Sequence, residues 1–153
     1  MPIRLVIVSW LLAFAMQAVA ADADRKFITV EPGAAPKPRP LSDAVLVGNT
    51  LYISGHLGID PQTNRAAADP QIEAKLVMDR VKRTVEAAGL TMDDIVSIQV
   101  FCTDLALYDM FNNVYGTYFT HGFPARAFLG TNALVRGAHF EVLGTAVRRQ
   151  RAQ

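Results

Sequence analysis

The chain of 153 residues has the length of one globular domain, and 51% of its residues are hydrophobic, enough for a sizeable core. It contains 15 basic and 14 acidic side chains, giving a formal net charge of +1. This balance, without a basic run, predicts no nucleic-acid partner. The single cysteine, Cys102, excludes an intrachain disulfide. We interpret Cys102 as a buried strand residue rather than a nucleophile, because its neighbours provide no basic, accessible setting.

Residues 1–20 are typical of a secretory signal peptide. Arg4 precedes an apolar stretch, and Ala18-Val19-Ala20 forms a small-residue cleavage site. The apolar stretch is shorter than the roughly 20 residues that span a bilayer, so we predict cleavage near Ala20 and no stable membrane anchor. The mature protein, residues 21–153, is then a single domain that is periplasmic or secreted.

The first half of the mature chain predicts a lead-in, a hairpin and a helix. Four prolines make residues 31–40 an extended, irregular segment. Two short apolar segments, Ala44 to Val47 and Thr50 to Ser54, flank Gly48-Asn49 and predict a β-hairpin. Asp69-Pro70 then predicts a helix start, with Asp69 as the N-cap.

Hydrophobic spacing predicts which face of this helix is buried. The helix should end at Gly89, since glycine is common just beyond a helix. The residues assigned to the buried face are Ile72, Leu76, Val81, Val85 and Ala88. The residues assigned to the solvent face are Glu73, Lys75, Asp79, Lys82 and Arg83.

The second half predicts three strands and another helix. Thr91 and Asp94 resemble a capping box, and Ile95 to Phe101 alternates as a strand does. That strand should direct Val96, Ile98 and Val100 to the core. Recurring aromatic residues predict a helix from about Leu107 to Thr120, and two closing strands follow, roughly Ala127 to Leu134 and His139 to Val147. An aromatic stripe of this kind is more often core than ligand site.

The predicted order is hairpin, helix, strand, helix, strand, strand. The β-α-β spacing favours an α/β sheet with both helices on one face. The opposite face would stay uncovered and too apolar for water. We therefore expect a homo-oligomer that buries it, most simply a closed cyclic ring.

Two charged residues are candidates for chemistry. Arg126 lies at the start of a predicted strand, and its planar guanidinium matches a carboxylate in bidentate geometry. The alternative is a salt bridge to Glu141 or Asp104. Glu141 should point with His139 and Leu143, away from Phe140 and Val142, and could act as a general base for water. The alternative for Glu141 is an ordinary strand acid paired with Arg136 or Arg126.

Other classes of site are not predicted. His56, His121 and His139 match no familiar metal-ligand spacing, so we predict no metal. We also predict no organic cofactor. A triad of Ser54, His56 and Asp60 can be drawn, but no nucleophile elbow surrounds Ser54. Gly48, Gly55 and Gly58 lack the strand-loop-helix setting of a phosphate-binding loop.

The sequence resembles the Rid (reactive intermediate deaminase) family, also called the YjgF family, in four segments. These segments are, in order, "VEAAGLTMDDIVSIQVFCTDL", "FNNVYGTYF", "FPARAF" and "RGAHFEV". The resemblance covers about residues 27–148. It implies a chorismate-mutase-like α/β sheet that assembles as a homotrimer with pockets between neighbouring subunits. The implied activity is hydrolysis of 2-imino or enamine acids to 2-keto acids and ammonia.

The resemblance also assigns site residues. Arg126 would bind the substrate carboxylate, and Glu141 would orient or activate water. Asn112 and Gly55 would line the pocket, and backbone groups around Phe128 would contact the imine nitrogen. Leu41 and Phe128 stand where many members carry tyrosine and cysteine, which makes the expected pocket more apolar. A trimeric protein that binds a small carboxylate without catalysis is the alternative function.

Overall fold

A six-stranded mixed sheet with two helices on one face forms the fold. The computed structural model describes residues 24–30 and 40–149. The signal peptide predicted at residues 1–20 lies outside the described residues, as does nearly all of the proline-rich segment 31–40. Within the described part of the chain, no helix is both long enough and apolar enough to cross a membrane.

The sheet combines antiparallel strands with one parallel pair. The strands are β1 (Arg25–Ile28), β2 (Ala44–Val47), β3 (Thr50–Leu57), β4 (Ile59–Asp60), β5 (Arg65–Ala66), β6 (Ile95–Cys102), β7 (Ala125–Gly130) and β8 (Phe140–Val147). The helices are α1 (Pro70–Ala87) and α2 (Tyr108–Tyr115). The sheet order is β1-β2-β3-β8-β6-β7, with β6 and β7 parallel, and β4 and β5 form a separate short ribbon. The predicted α/β sheet is confirmed.

Local signals for turns and helix ends are confirmed. The predicted hairpin is formed by β2 and β3, although β3 continues to Leu57. The Asp69 carboxylate accepts a hydrogen bond from the Gln71 backbone N–H at 2.8 Å, and Pro70 opens α1. The capping box is present, because the Asp94 carboxylate accepts from both the backbone N–H and the hydroxyl of Thr91.

The predicted faces of α1 are partly wrong. Ile72 is 55% exposed, whereas Glu73, assigned to the solvent face, is fully buried. The helix buries the stripe that includes Ala74, Val77, Met78, Val81 and Val85. Glu73 belongs to the buried side because other parts of the chain supply donors for its carboxylate.

Glu73 joins α1 to the start of β8. One of its oxygens accepts hydrogen bonds from the backbone N–H groups of His139 and Phe140, at 2.7 and 2.9 Å. Its other oxygen lies 2.7 Å from Nδ1 of His139. His139 was predicted to share the face of Glu141, but its ring contacts this helix instead. The buried carboxylate is thus compensated by three polar groups.

Replacing Glu73 by alanine is expected to lower the free energy of unfolding by about 3 kcal/mol, because one buried and one partly buried backbone N–H group lose their acceptor. Urea denaturation followed by circular dichroism measures this loss. Glu86 lies on the same helix with its side chain 53% exposed, so Glu86→Ala is the control and should change stability by less than about 0.5 kcal/mol. Equal effects of the two substitutions would contradict the assignment.

The prediction that Val96 faces the core is wrong. Val96 is exposed, while Ile95, Ile98 and Val100 are buried. The pairing of β6 with β8 shifts register between Ile95 and Ser97. Such a bulge breaks the two-residue alternation on which the prediction depended.

The last three predicted elements have different bounds, and β8 begins at Phe140 rather than at His139. The helix α2 spans Tyr108–Tyr115 only, and the predicted ends are 3₁₀ turns, Leu105–Leu107 and Gly116–Tyr118. Strand β7 begins two residues early, and it ends at Gly130 because its partner β6 ends at the paired residue Cys102.

Cys102 itself is buried, and burial raises the pKa of its thiol, as expected for a structural cysteine.

In the described chain, the two helices cover one face of the sheet and leave the other face uncovered. The large buried side chains on the helix side include Phe111, Phe140, Leu51, Ile98, Val100 and Val142. Both helices pack on this side, as predicted. On the opposite face, Tyr52 and Leu129 are exposed, and neither described helix covers them.

Candidate functional site

Arg126 extends from the edge strand β7 towards the helices. Its Cα pairs with that of Ile98, which is buried on the helix side of the sheet. Side chains of paired residues share a face, so the Arg126 side chain points to that side. Because β7 is an edge strand with no element beyond it in the sheet, the guanidinium is only half-buried.

The guanidinium of Arg126 lies among aromatic rings of α2 and β7. Its central carbon is 4.5 Å from the centroid of the Tyr115 ring, 5.7 Å from that of Tyr108 and 5.8 Å from that of Phe128. Such distances are typical of cation–π contacts. Nη2 donates to Oδ1 of Asn112 at 2.8 Å and lies 3.5 Å from the Tyr108 hydroxyl.

No carboxylate among the described residues lies within ion-pairing distance of Arg126. The two acids considered from the sequence, Asp104 and Glu141, are not its partners. Asp104 instead accepts from the backbone N–H of Ala106 at 2.9 Å, at the start of a 3₁₀ turn. The Nε and Nη1 groups of Arg126 also have no hydrogen-bond partner in the described chain. A half-buried cation with unused donors is suited to a carboxylate ligand.

Tyr115 forms the ring closest to this cation. Burial raises the pKa of its hydroxyl to about 12, with a smaller opposing effect of the Arg126 charge. The tyrosine is therefore neutral at physiological pH. Its hydroxyl is buried without a hydrogen-bond partner in the described part of the chain, so the ring acts here as an apolar surface.

Glu141 points to the opposite face of the sheet. It lies on β8 between the buried residues Phe140 and Val142, and it pairs with Leu57 of β3 and Phe101 of β6. Its carboxylate has no ion-pair or hydrogen-bond partner within the described residues. Arg136, the partner considered from the sequence, binds the backbone and side-chain oxygens of Asn64 instead.

Gly55 leaves the space that the Glu141 carboxylate occupies. A Cβ atom built on Gly55 would lie 2.0 Å from Oε1 of Glu141, well inside contact distance. Because residue 55 has no side chain, the Glu141 carboxylate can lie close to the backbone of β3. Gly55 and Glu141 form one half of the candidate site, which we call the glutamate half-site.

The substitution Gly55→Ala is expected to displace the Glu141 carboxylate while leaving the fold intact, because the clashing atoms belong to the end of a flexible side chain. Any activity that depends on Glu141 should fall at least about tenfold. Gly116→Ala is the matched control, since nothing lies within 4 Å of its Cβ position. Activity assays with both variants at equal thermal stability test this. Full activity of Gly55→Ala would contradict a role for the carboxylate position.

The predicted site residues separate into two groups. Asn112 and Phe128 lie beside Arg126, and we call these three residues the arginine half-site. Gly55 and Glu141 lie on the other face of the same sheet. One small molecule cannot contact both half-sites of a single subunit, because a sheet lies between them.

Sequence reasoning missed the aromatic contribution to the arginine half-site. Tyr108 and Tyr115 belong to the aromatic stripe that was interpreted as more often core than ligand site, yet both contact the guanidinium. Their spacing with Asn112 at three- and four-residue steps on one helix was the available signal. Two residues of the triad considered from the sequence have other partners: the Ser54 hydroxyl donates to the Ser42 carbonyl, and Nε2 of His56 lies 3.1 Å from the Thr84 hydroxyl.

Comparison with known proteins gives consistent matches. The family model described as Endoribonuclease L-PSP matches residues 33–148. A RutC family protein of Sulfurisphaera tokodaii is 40% identical over 110 residues, covering 71% of this chain and 88% of that protein. A 2-iminobutanoate/2-iminopropanoate deaminase of Dermatophagoides farinae is 36% identical over 110 residues, covering 71% and 86%.

The fold is also shared with a solved structure. RidA from an Antarctic Psychrobacter species superposes with a TM-score of 0.70 at 35% identity, covering 79% of this chain and 97% of that one. The region matched by the family model, residues 33–148, includes both half-sites. The resemblance predicted from the sequence is therefore confirmed, and the chain belongs to the Rid/YjgF family, whose family model is named Endoribonuclease L-PSP.

Proposed function

We propose that the protein is a hydrolytic deaminase of 2-imino acids, acting at sites shared between neighbouring subunits of a homotrimer. The observation that carries this proposal is the Arg126 guanidinium, which is half-buried and has no carboxylate partner in the described chain. A cation in this state provides binding energy for an anionic substrate. The names of related deaminases support the same reaction class.

The separation of the half-sites supports an assembly. Among the described residues, Arg126 has no carboxylate partner and Glu141 has no cationic partner, and the two lie on opposite faces of one sheet. In a cyclic trimer, each subunit can offer its arginine half-site to one neighbour and its glutamate half-site to the other. The exposed apolar residues on the uncovered face, such as Tyr52 and Leu129, are suited to burial in such a seam.

The proposed reaction is addition of water to a C=N bond. Arg126 binds the carboxylate of the 2-imino acid and fixes the position of C2. Glu141 of the neighbouring subunit accepts a proton from water as the water oxygen bonds to C2. Backbone groups around Phe128 contact the imine nitrogen. Return of this proton from Glu141 to the nitrogen gives a carbinolamine. Transfer of the carbinolamine hydroxyl proton to nitrogen and cleavage of the C–N bond then release ammonia and leave a 2-keto acid. The proposal involves no metal and no organic cofactor.

The family model's name suggests a second activity, cleavage of RNA. Ribonuclease action requires cations that hold phosphates along an extended strand. The chain's formal charge is only +1, and the cation of the arginine half-site lies among aromatic rings. These features favour a small carboxylate over a polynucleotide.

Trapping of the imine tests the proposal. An amino-acid oxidase generates a 2-imino acid in the presence of semicarbazide, and formation of the semicarbazone is followed with and without the protein. The deaminase should suppress trapping in proportion to its concentration, with ammonia released. Unchanged trapping at micromolar protein, together with saturable binding of a 2-keto acid by calorimetry, would instead establish the non-catalytic carboxylate-binding alternative.

A further inference from the structure

We infer that the arginine half-site selects 2-imino acids that carry an aromatic side chain. This inference rests on the proposed function and specifies the substrate class of that site. It follows from the aromatic rings that lie around the Arg126 guanidinium.

The inner wall consists of three rings. Tyr108, Tyr115 and Phe128 all have centroids within 6 Å of the Arg126 guanidinium carbon. Tyr108 and Phe128 are themselves in edge-to-face contact, with centroids 5.0 Å apart. The ring centroids of Phe111 and Phe128 are 5.6 Å apart. Phe111 is fully buried, so it supports the Phe128 ring in this orientation.

The outer wall extends this surface towards solvent. Phe123 is stacked on Tyr115 with centroids 6.0 Å apart and an interplanar angle of 25°. Its other neighbour is Phe119, in edge-to-face contact at 5.9 Å. Phe123 is nevertheless 69% exposed, and Tyr108 is 42% exposed. Two aromatic surfaces beside the cation are thus open in the described chain.

Substrate geometry places the side chain against these walls. In a 2-imino acid the side chain begins at C2, one bond from the carboxylate carbon. With the carboxylate bound by Arg126, the side chain therefore lies within a few bond lengths of the guanidinium. Asn112 and the Tyr108 hydroxyl are uncharged polar groups that contact this cation, and Oδ1 of Asn112 already accepts from Nη2. A methyl or ethyl side chain would leave the aromatic rings exposed to solvent, whereas an aromatic side chain can stack on them.

A comparison of two substrates tests the inference. D-amino-acid oxidase generates the imine of phenylalanine or of alanine, and both imines are achiral at C2. The expected result is a kcat/KM at least about tenfold higher for the phenylalanine-derived imine, because the additional ring carbons are removed from water. Equal or higher kcat/KM for the alanine-derived imine would overturn the inference but leave the deaminase proposal intact. Failure to hydrolyse either imine would count against the deaminase proposal itself.

The exposed ring provides a variant that should fold normally. Phe123→Ala is expected to lower the ratio of kcat/KM for the phenylalanine-derived imine to kcat/KM for the alanine-derived imine about fivefold or more. Ile72→Ala is the control, since Ile72 is also an exposed apolar side chain, at 55%, but lies on the outside of α1. An unchanged ratio for Phe123→Ala would overturn the assignment of the outer wall, and a changed ratio for Ile72→Ala would show that the effect is not local.

Discussion

Replacement of Arg126 by alanine is expected to lower kcat/KM for 2-imino acid hydrolysis about 100-fold. The guanidinium supplies charge-assisted hydrogen bonds to the substrate carboxylate, and each such bond contributes about 1.5–3 kcal/mol. Loss of the cation also removes the orientation of C2. Steady-state measurement of semicarbazone trapping over a range of substrate concentrations provides kcat and KM.

Two further variants define what the arginine does. Arg126→Lys keeps the charge but loses the planar fork, so we expect an intermediate loss of about tenfold. Arg65→Ala is the control, because Arg65 is an exposed arginine on β5, in the ribbon separate from the main sheet. It should retain full activity. Activity of Arg126→Ala within about twofold of the unmodified protein would contradict carboxylate binding at this residue.

Replacement of Glu141 by glutamine is expected to lower kcat about 100-fold and to change KM less than about threefold. Glutamine has nearly the same shape but cannot accept the proton of the attacking water. An effect on kcat with little effect on KM indicates a group that acts in the chemical step. The same trapping assay separates the two parameters.

A destabilised fold is the alternative explanation for lower activity of Glu141→Gln, and thermal unfolding tests it. Its carboxylate has no partner in the described chain, so Glu141→Gln should leave the thermal unfolding midpoint within about 2 °C. Glu86→Gln, at an exposed glutamate of α1, serves as the control for activity. A parallel rise in KM, or a large loss of stability, would show that Glu141 holds the fold or the substrate rather than activating water.

Local chemistry made several elements predictable from the sequence. The Asp69-Pro70 helix start, the Thr91–Asp94 capping box and the Gly48-Asn49 turn depend on residues within a few positions of each other. Their energetics are contained in short segments, so a sequence window is sufficient to identify them.

Contacts between distant residues were not predictable in the same way. Glu73 is buried because backbone groups 66 and 67 residues further along the chain donate to it. Val96 is exposed because it lies at a register shift in the pairing of β6 with β8. Strand β1 was missed entirely, since the short segment Arg25–Ile28 acquires its structure by pairing with β2. Each case depends on a partner that no local pattern reveals.

The candidate site shows the same division. Arg126 and Glu141 were identified by residue type and by resemblance to a family. Their placement on opposite faces follows from the strand register, which pairs Arg126 with Ile98 and Glu141 with Phe101. The aromatic surroundings of Arg126 required the packing of α2 against β7. The sequence stripe of aromatic residues was therefore both core and part of the site.

Mixed trimers test most directly whether each site combines residues of two subunits. The Arg126→Ala and Glu141→Gln proteins, each nearly inactive, are unfolded together in equal amounts and refolded, with light scattering to check that trimers form. Random mixing pairs an intact arginine half-site with an intact glutamate half-site at about one seam in four. We predict recovery of about a quarter of the unmodified activity. If mixed trimers form but activity stays at the level of the separate variants, the shared site is contradicted.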